Sequence, residues 1–162
     1  MSVERHTFVD VQFGCDGSDI PDESEIRRWV ELAVAAAGRT GSSDIEVAVR
    51  VVSADEMQAL NREYRNADKP TNVLSFPTGP LDGLPGDAVR PLGDLVVCAA
   101  VVSNEAASQH KPVKDHWAHM LVHGTLHLLA FDHTTDAEAR EMEDLETRIL
   151  AADGIADPYG VQ

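Results

Sequence analysis

Apolar positions along the chain fall into short stretches of period two and longer stretches of period 3.6, so strand and helix are expected to alternate without internal repeats. Val3 to Val11 alternates weakly and stops before Gly14 and Gly17, which predicts a first strand. Asp22 followed by Glu25 has the spacing of a capping box and opens an amphipathic helix whose apolar face is Ile26, Trp29, Val30, Leu32, Ala33 and Ala36, ending at Gly38. Glu46 to Val52 is β-branched and alternating, a second strand. Ser53 with Glu56 repeats the capping signal and starts a helix with Met57, Leu60 and Tyr64 on its apolar side. Thr71 to Phe76 and Gly93 to Cys98 read as two more strands, followed by a helix from about Ala99 to His110. Pro112, suited to a helix first turn, opens a longer helix through Leu129, and Thr135 with Glu138 caps a last one to about Ala152, with Met142, Leu145, Ile149 and Leu150 inward.

Between the third and fourth strands, Pro77 to Gly93 holds four of the eight prolines and four of the eleven glycines, too long for a simple connection. Such a segment reads as a surface excursion, with a flap over a site as the alternative. Neither flank has enough elements to close a core alone, so residues 1–162 are expected to form one domain, a size that fits a single buried core.

Charge changes the picture more than composition does. With 43% hydrophobic and 25% charged residues the chain is ordinary for a soluble domain, but 13 Lys and Arg against 28 Asp and Glu leave a formal charge of −15. A protein that grips polyanions through its whole field needs the opposite sign, so bulk electrostatic binding to nucleic acid or anionic membrane is excluded. The charge is uneven: residues 1–46 carry −6, residues 132–162 carry −7, and the 85 residues between them only −2. That middle holds the cations Arg62, Arg65 and Lys69, the place to look for contacts with an anionic substrate. Two cysteines, Cys15 and Cys98, make no disulfide framework, and the longest apolar run, Leu95 to Val102, is far below the roughly 18 residues of a membrane span. The first ten residues contain Glu4, Arg5, His6 and Asp10 and so no signal-peptide core. A cytoplasmic location without membrane attachment is expected.

Five of the seven histidines lie between His116 and His133. On a helix His123 and His127 are four residues apart and share a face, a spacing one metal ion can bridge. His119 extends the same face, but at about 1.5 Å rise per residue it lies about 12 Å from His127, too far for bonds of about 2.0–2.1 Å to one ion. His133 can return to the ion if the chain turns after Leu129. Three imidazoles with an open fourth position are the arrangement of catalytic zinc, and imidazoles amid Leu126, Leu128, Leu129 and Phe131 need partners that a metal supplies. His116 and His119 read as supporting or surface groups. The spacing is similar to the metzincin pattern, yet that family places a glutamate after the first histidine as general base, whereas Gly124 stands here and accepts no proton. A glycine there also lets something approach the helix closely.

The segment His123 to His133 resembles the His-Gly-x-Leu-His-Leu-x-Gly-x-Asp-His signature of the YbeY family of bacterial metal-dependent endoribonucleases. Asn61, Tyr64, Arg65 and the run from Lys69 to Pro77 are similar to the family's second diagnostic stretch, and Gly93 to Val96 to its third, in the family's order. The resemblance implies a small α+β fold with a mixed sheet of about four strands packed with about five helices. It implies one zinc ion per chain on His123, His127 and His133, hydrolysis of single-stranded RNA, and a role in 16S rRNA 3′-end processing and ribosome quality control. The small ribosomal subunit and its assembly factors become the implied partners, and the family's functional arginine maps to Arg65. One departure is Ala130 at the signature's second glycine, where a left-handed residue costs alanine about 1 kcal/mol or somewhat more.

On this reading the metal activates water or polarises a phosphoryl oxygen, and Arg65, whose planar fork suits two phosphate oxygens, stabilises the developing charge. The alternative for Arg65 is a helix-end salt bridge. Asp132 is a candidate to orient His133, bind water or act as base. Arg62 and Lys69 are candidates for positioning the strand, and Thr71, Asn72 and Ser75 for lining its path. Trp117 and Phe131 can stack bases, although core packing is their more ordinary use. Two rivals remain, a zinc metallopeptidase, against which the missing glutamate argues, and a non-catalytic ribosome assembly factor with a structural metal.

Overall fold

A computed structural model describes residues 6–40, 44–78 and 89–159. Within the described residues, four strands and five helices follow in the order β1 (Thr7–Phe13), α1 (Glu23–Ala37), β2 (Ile45–Val52), α2 (Ala54–Arg65), β3 (Val73–Pro77), β4 (Arg90–Cys98), α3 (Ala99–Ser108), α4 (Val113–Leu128) and α5 (Asp136–Ala151). The sheet order is β1-β2-β4-β3, with β1 parallel to β2, β2 parallel to β4, and β3 antiparallel to β4. The expected α+β fold with a mixed four-stranded sheet is therefore observed.

Period-two alternation assigns the two faces of the sheet. Val47, Val49, Val51, Leu95 and Val97 point into a core of 26 buried residues built with α1, α4 and α5, whereas Val52, Leu74, Val96 and Cys98 join Met57 of α2 in a second cluster of five. At about 1.5–3 kcal/mol per fully buried Val, Leu, Ile, Phe or Met, the first face dominates stability. Helix α4 is at its centre, with 11 of its 16 residues buried, which is why it lacks the one-sided pattern of a surface helix.

Local chemistry sets the helix ends. Asp22, Ser53 and Thr135 each accept the backbone N–H three residues on, as the sequence predicts. The reverse halves of two boxes are replaced, since Glu56 takes Arg50 and Glu138 takes the Thr134 hydroxyl. Pro112 lies one position before the expected first turn, at the N-cap, where its carbonyl accepts from Asp115 and His116.

Other expectations shift. Leu32 and Ala36 are exposed, and Val34 replaces them on the buried face of α1. Tyr64 is also exposed, its ring standing edge-on to Phe76 at 5.1 Å. Strand β4 begins three residues early, at Arg90, because Pro91 and Gly93 are accommodated where the β2–β4 register slips between Glu46 and Val47. Gly93, at φ 150°, has the Phe76 carbonyl 2.5 Å from where a Cβ would sit, so no side chain fits there. Most of the Pro/Gly-rich stretch, residues 79–88, and the first three residues of the expected first strand, residues 3–5, lie outside the described residues.

Candidate metal centre and cleft

Helix α4 carries His123 and His127 on one face, and the chain turn beyond it returns His133 to them. The ring centroids lie 4.6 Å apart for His123 and His127, 5.1 Å for His127 and His133, and 6.1 Å for His123 and His133. The turn is closed by Ala130 in the left-handed conformation at φ 70°. Phe131 N–H donates to the Leu126 carbonyl at 3.0 Å and Ala130 N–H to the His127 carbonyl at 3.1 Å, the paired bonds of a Schellman end. The strain that alanine imposes is thus borne, and the turn forms. Arg39 reinforces it from α1's side, donating to the Leu129 carbonyl at 3.2 Å and stacking 3.5 Å over the Phe131 ring.

Each helical imidazole is oriented from behind. His127 Nδ1 lies 3.1 Å from the Phe131 carbonyl, which only accepts, so Nδ1 carries the proton and Nε2 the lone pair. His123 Nδ1 lies 2.5 Å from Glu146 Oε1, with the same result. The two Nε2 atoms then face each other as acceptors 3.1 Å apart, close to the roughly 3.3 Å separating two donors at 2.0–2.1 Å from a tetrahedral ion. Two fixed lone pairs at that distance need a shared cation, so the residues fit a metal ion. Burial, then His123 and His133, push His127 below the ordinary imidazole value, which keeps it neutral and available.

Two groups of metal-capable donors occur among the described residues, His127 with Asp132 and His133, and His119 with His123 and Glu146. In the second, 2.5 Å between His123 Nδ1 and Glu146 Oε1 leaves no room for an ion between them, and the contact is a hydrogen bond. The exposed group, completed by His123 Nε2, opens to solvent instead. His119, which is buried, turns its Nε2 to Glu146 Oε2 at 3.3 Å, and His116 turns its own to Glu105 at 2.9 Å.

The histidines line a cleft of about 610 Å³ together with Arg65, Thr71, Asn72, Val73, Ser75, Pro77 and Asp132. Its opposite wall is the edge strand β3 and the end of α2. Gly124 is what admits β3: a Cβ there would meet Leu95 Cδ2 at 2.9 Å and Val73 Cγ2 at 3.1 Å, while Ser75 Oγ donates to the Gly124 carbonyl at 3.0 Å. The close approach expected at this glycine is the protein's own sheet.

Among the cations, Arg62 pairs with Asp68 at 3.5 Å, whereas Arg65, exposed at the end of α2, has no acidic partner among the described residues. Lys69 is exposed and does not line the cleft; its carbonyl accepts from buried Asn61 at 2.8 Å, which holds the loop leading to β3. Asn72 lines the cleft, but its amide is engaged with Glu105 and the Val73 N–H. Asp132 is exposed and uses Oδ1 to accept the His133 N–H at 2.7 Å, so it fixes the backbone of His133 rather than its ring; its Oδ2 has no hydrogen-bond partner among the described residues. Trp117 and Phe131 are buried and serve packing.

Glu146 and Tyr159 escape the sequence reading. A signal existed: Glu146 falls in the same stripe of α5 as Met142 and Ile149, a charged residue at a core position. Burial raises its carboxyl, but hydrogen bonds from His119, His123 and Tyr159 outweigh that and hold it at about 2.

The family model described as Endoribonuclease YbeY matches residues 12–154. A curated relative named Endoribonuclease YbeY from Halorhodospira halophila is 56% identical over 143 residues, covering 88% of this chain and 90% of its own. One of the same name from Alcanivorax borkumensis is 50% identical over 153 residues, with 93% and 85% covered. The solution structure of TM1509 from Thermotoga maritima superposes with a TM-score of 0.60 at 24% identity, over 95% of this chain and all of that one, a likeness of fold.

Proposed function

Because the chain belongs to the endoribonuclease YbeY family, we propose that it hydrolyses single-stranded RNA at the cleft between α4 and β3, with one zinc ion held by His123, His127 and His133. The observation that carries this reading is the convergence, in one cleft, of three imidazoles and Arg65, which has no acidic partner among the described residues. Imidazole donors suit zinc among the common divalent metals. When bound, the ion supplies Lewis acidity, making water more acidic and offsetting phosphoryl charge. The protein's own groups do the rest. Arg65 donates to phosphoryl oxygens and stabilises the charge that builds on them, with a planar fork that a lysine lacks. Asp132, anchored through Oδ1, offers its second oxygen as acceptor for the proton of the attacking water. Ser75 and Thr71 border the path of the strand, and the missing glutamate at Gly124 argues against peptide hydrolysis.

In this proposal residues 1–162 act as one metallo-hydrolase domain in the cytoplasm, and no described helix is long and apolar enough to cross a membrane. The substrate is ribosomal RNA at the 16S 3′ end, met on the small ribosomal subunit with its assembly factors. The charge of −15 agrees with an enzyme that relies on a local cation and a pre-assembled particle rather than on general affinity for RNA. The test is cleavage of a single-stranded RNA by purified protein of known metal content, with and without chelator. Loss of cleavage on chelation and recovery with zinc are expected; undiminished cleavage by metal-free protein refutes the proposal.

A further inference from the structure

Behind His123, on the side away from the cleft, lies a fully buried carboxylate. Glu146 Oε1 accepts from His123 Nδ1 at 2.5 Å, and Oε2 accepts from His119 Nε2 at 3.3 Å and from the Tyr159 hydroxyl. A buried carboxylate is costly unless its oxygens are hydrogen-bonded, and here both oxygens are. The ring that Glu146 holds through Nδ1 turns its far nitrogen toward His127, at 3.1 Å from that residue's Nε2. Tyr159 is not in any helix or strand. It is aimed by Asp157, whose Oδ1 accepts the Tyr159 N–H at 2.8 Å and the Thr147 hydroxyl of α5 at 3.2 Å. The segment after α5 is itself tied down by an Ile155 N–H to Leu150 carbonyl bond of 3.1 Å.

We infer that Glu146 is a positioning residue for the metal centre, locking His123 with its proton on Nδ1 and its lone pair toward the cleft, and that the C-terminal segment, through Tyr159, tunes how tightly the ion is held. The inference rests on the zinc reading above. Carboxylates that accept from a ligating histidine orient the ring and raise its basicity, and their loss commonly weakens metal binding by about 10- to 100-fold. Glu146 acts on the ring and Tyr159 acts on Glu146, so their effects should be graded. His119 completes the set as a donor to Glu146 and is not itself a donor to the ion.

The experiment measures zinc affinity of the whole chain by competition with a chromophoric chelator, for wild type, Glu146→Gln, Glu146→Leu and Tyr159→Phe. It also reads the tautomer of His123 in the metal-free proteins from long-range nitrogen–proton spectra. Expected are a 10- to 100-fold weaker zinc affinity in Glu146→Gln, a loss of severalfold in Tyr159→Phe, and a shift of the His123 proton toward Nε2 in Glu146→Leu. A folded Glu146→Gln protein within twofold of wild type overturns the inference; if neither Glu146 variant folds, unchanged affinity and an unchanged His123 signal in Tyr159→Phe do so. Wild-type protein that binds no zinc would instead overturn the reading on which the inference stands.

Discussion

Helices α4 and α2 form the two sides of the cleft and are built in opposite ways. Eleven residues of α4 are buried, and each of its two cleft histidines is fixed from behind by a hydrogen bond, one to a backbone carbonyl and one to a buried carboxylate. On α2 only Met57 and Asn61 are buried, and Arg65 extends from its last turn without a partner among the described residues. On the proposed reading, metal ligation needs nitrogen positions held to about 0.5 Å, a precision that the packed helix supplies for His123 and His127. On the same reading Arg65, which must meet a phosphodiester and then release it, is better served by a long side chain on a lightly anchored element. Rigidity and reach are divided between the two walls.

Removing one residue from each wall should separate these roles most sharply. His123→Ala is expected to abolish both zinc binding and RNA cleavage, whereas Arg65→Ala should lose cleavage by two or more orders of magnitude while keeping zinc content and fold, checked by elemental analysis, circular dichroism and a cleavage assay. Equal loss of zinc in both would erase the distinction. Next in size is the contact between the walls. Gly124→Ala gains about 1 kcal/mol of helix propensity but overpacks Leu95 and Val73 at a cost of about 1–3 kcal/mol, so net destabilisation in urea and impaired cleavage are expected.

The supporting side of α4 can be probed by pH. Burial lowers His116, opposed only partly by Glu105, with Lys111 and His119 adding to the lowering. A base with a depressed folded value stabilises the protein above its ordinary value of 6.5 and loses that contribution as pH falls toward the folded value. Stability of metal-free protein should therefore decline below pH 6.5, less steeply in His116→Gln, as read from denaturation midpoints. The smallest effect is expected at the turn: Ala130→Gly relieves a φ of 70° and should raise stability by about 1 kcal/mol or less, with zinc affinity unchanged or improved.

These differences also explain what the sequence can disclose. The helical spacing of His123 and His127 is a local property and survives into the fold, as do the caps at Asp22, Ser53 and Thr135. The return of His133 depends on a turn whose hydrogen bonds are local too. Strand order is not local: nothing in the β4 residues announces that they pair in parallel with β2 while β3 becomes an edge. Likewise Arg62 and Arg65 look alike until the loop after α2 folds back and Asp68 takes one of them. Glu146 hides for a related reason, since its donors come from α4 and from the segment after α5.

The absent side chain at Gly124 has a consequence for molecular recognition. With β3 seated directly on α4 and Ser75 hydrogen-bonded across the joint, the floor of the cleft has no compressible layer to yield. That side of the cleft is a fixed gauge, and adjustment on the protein's part is left to Arg65 at the end of α2. On the proposed reading, the RNA's backbone torsions must then deliver a phosphodiester to that fixed side, and a chain already held by base pairing has the fewest torsions left to do so.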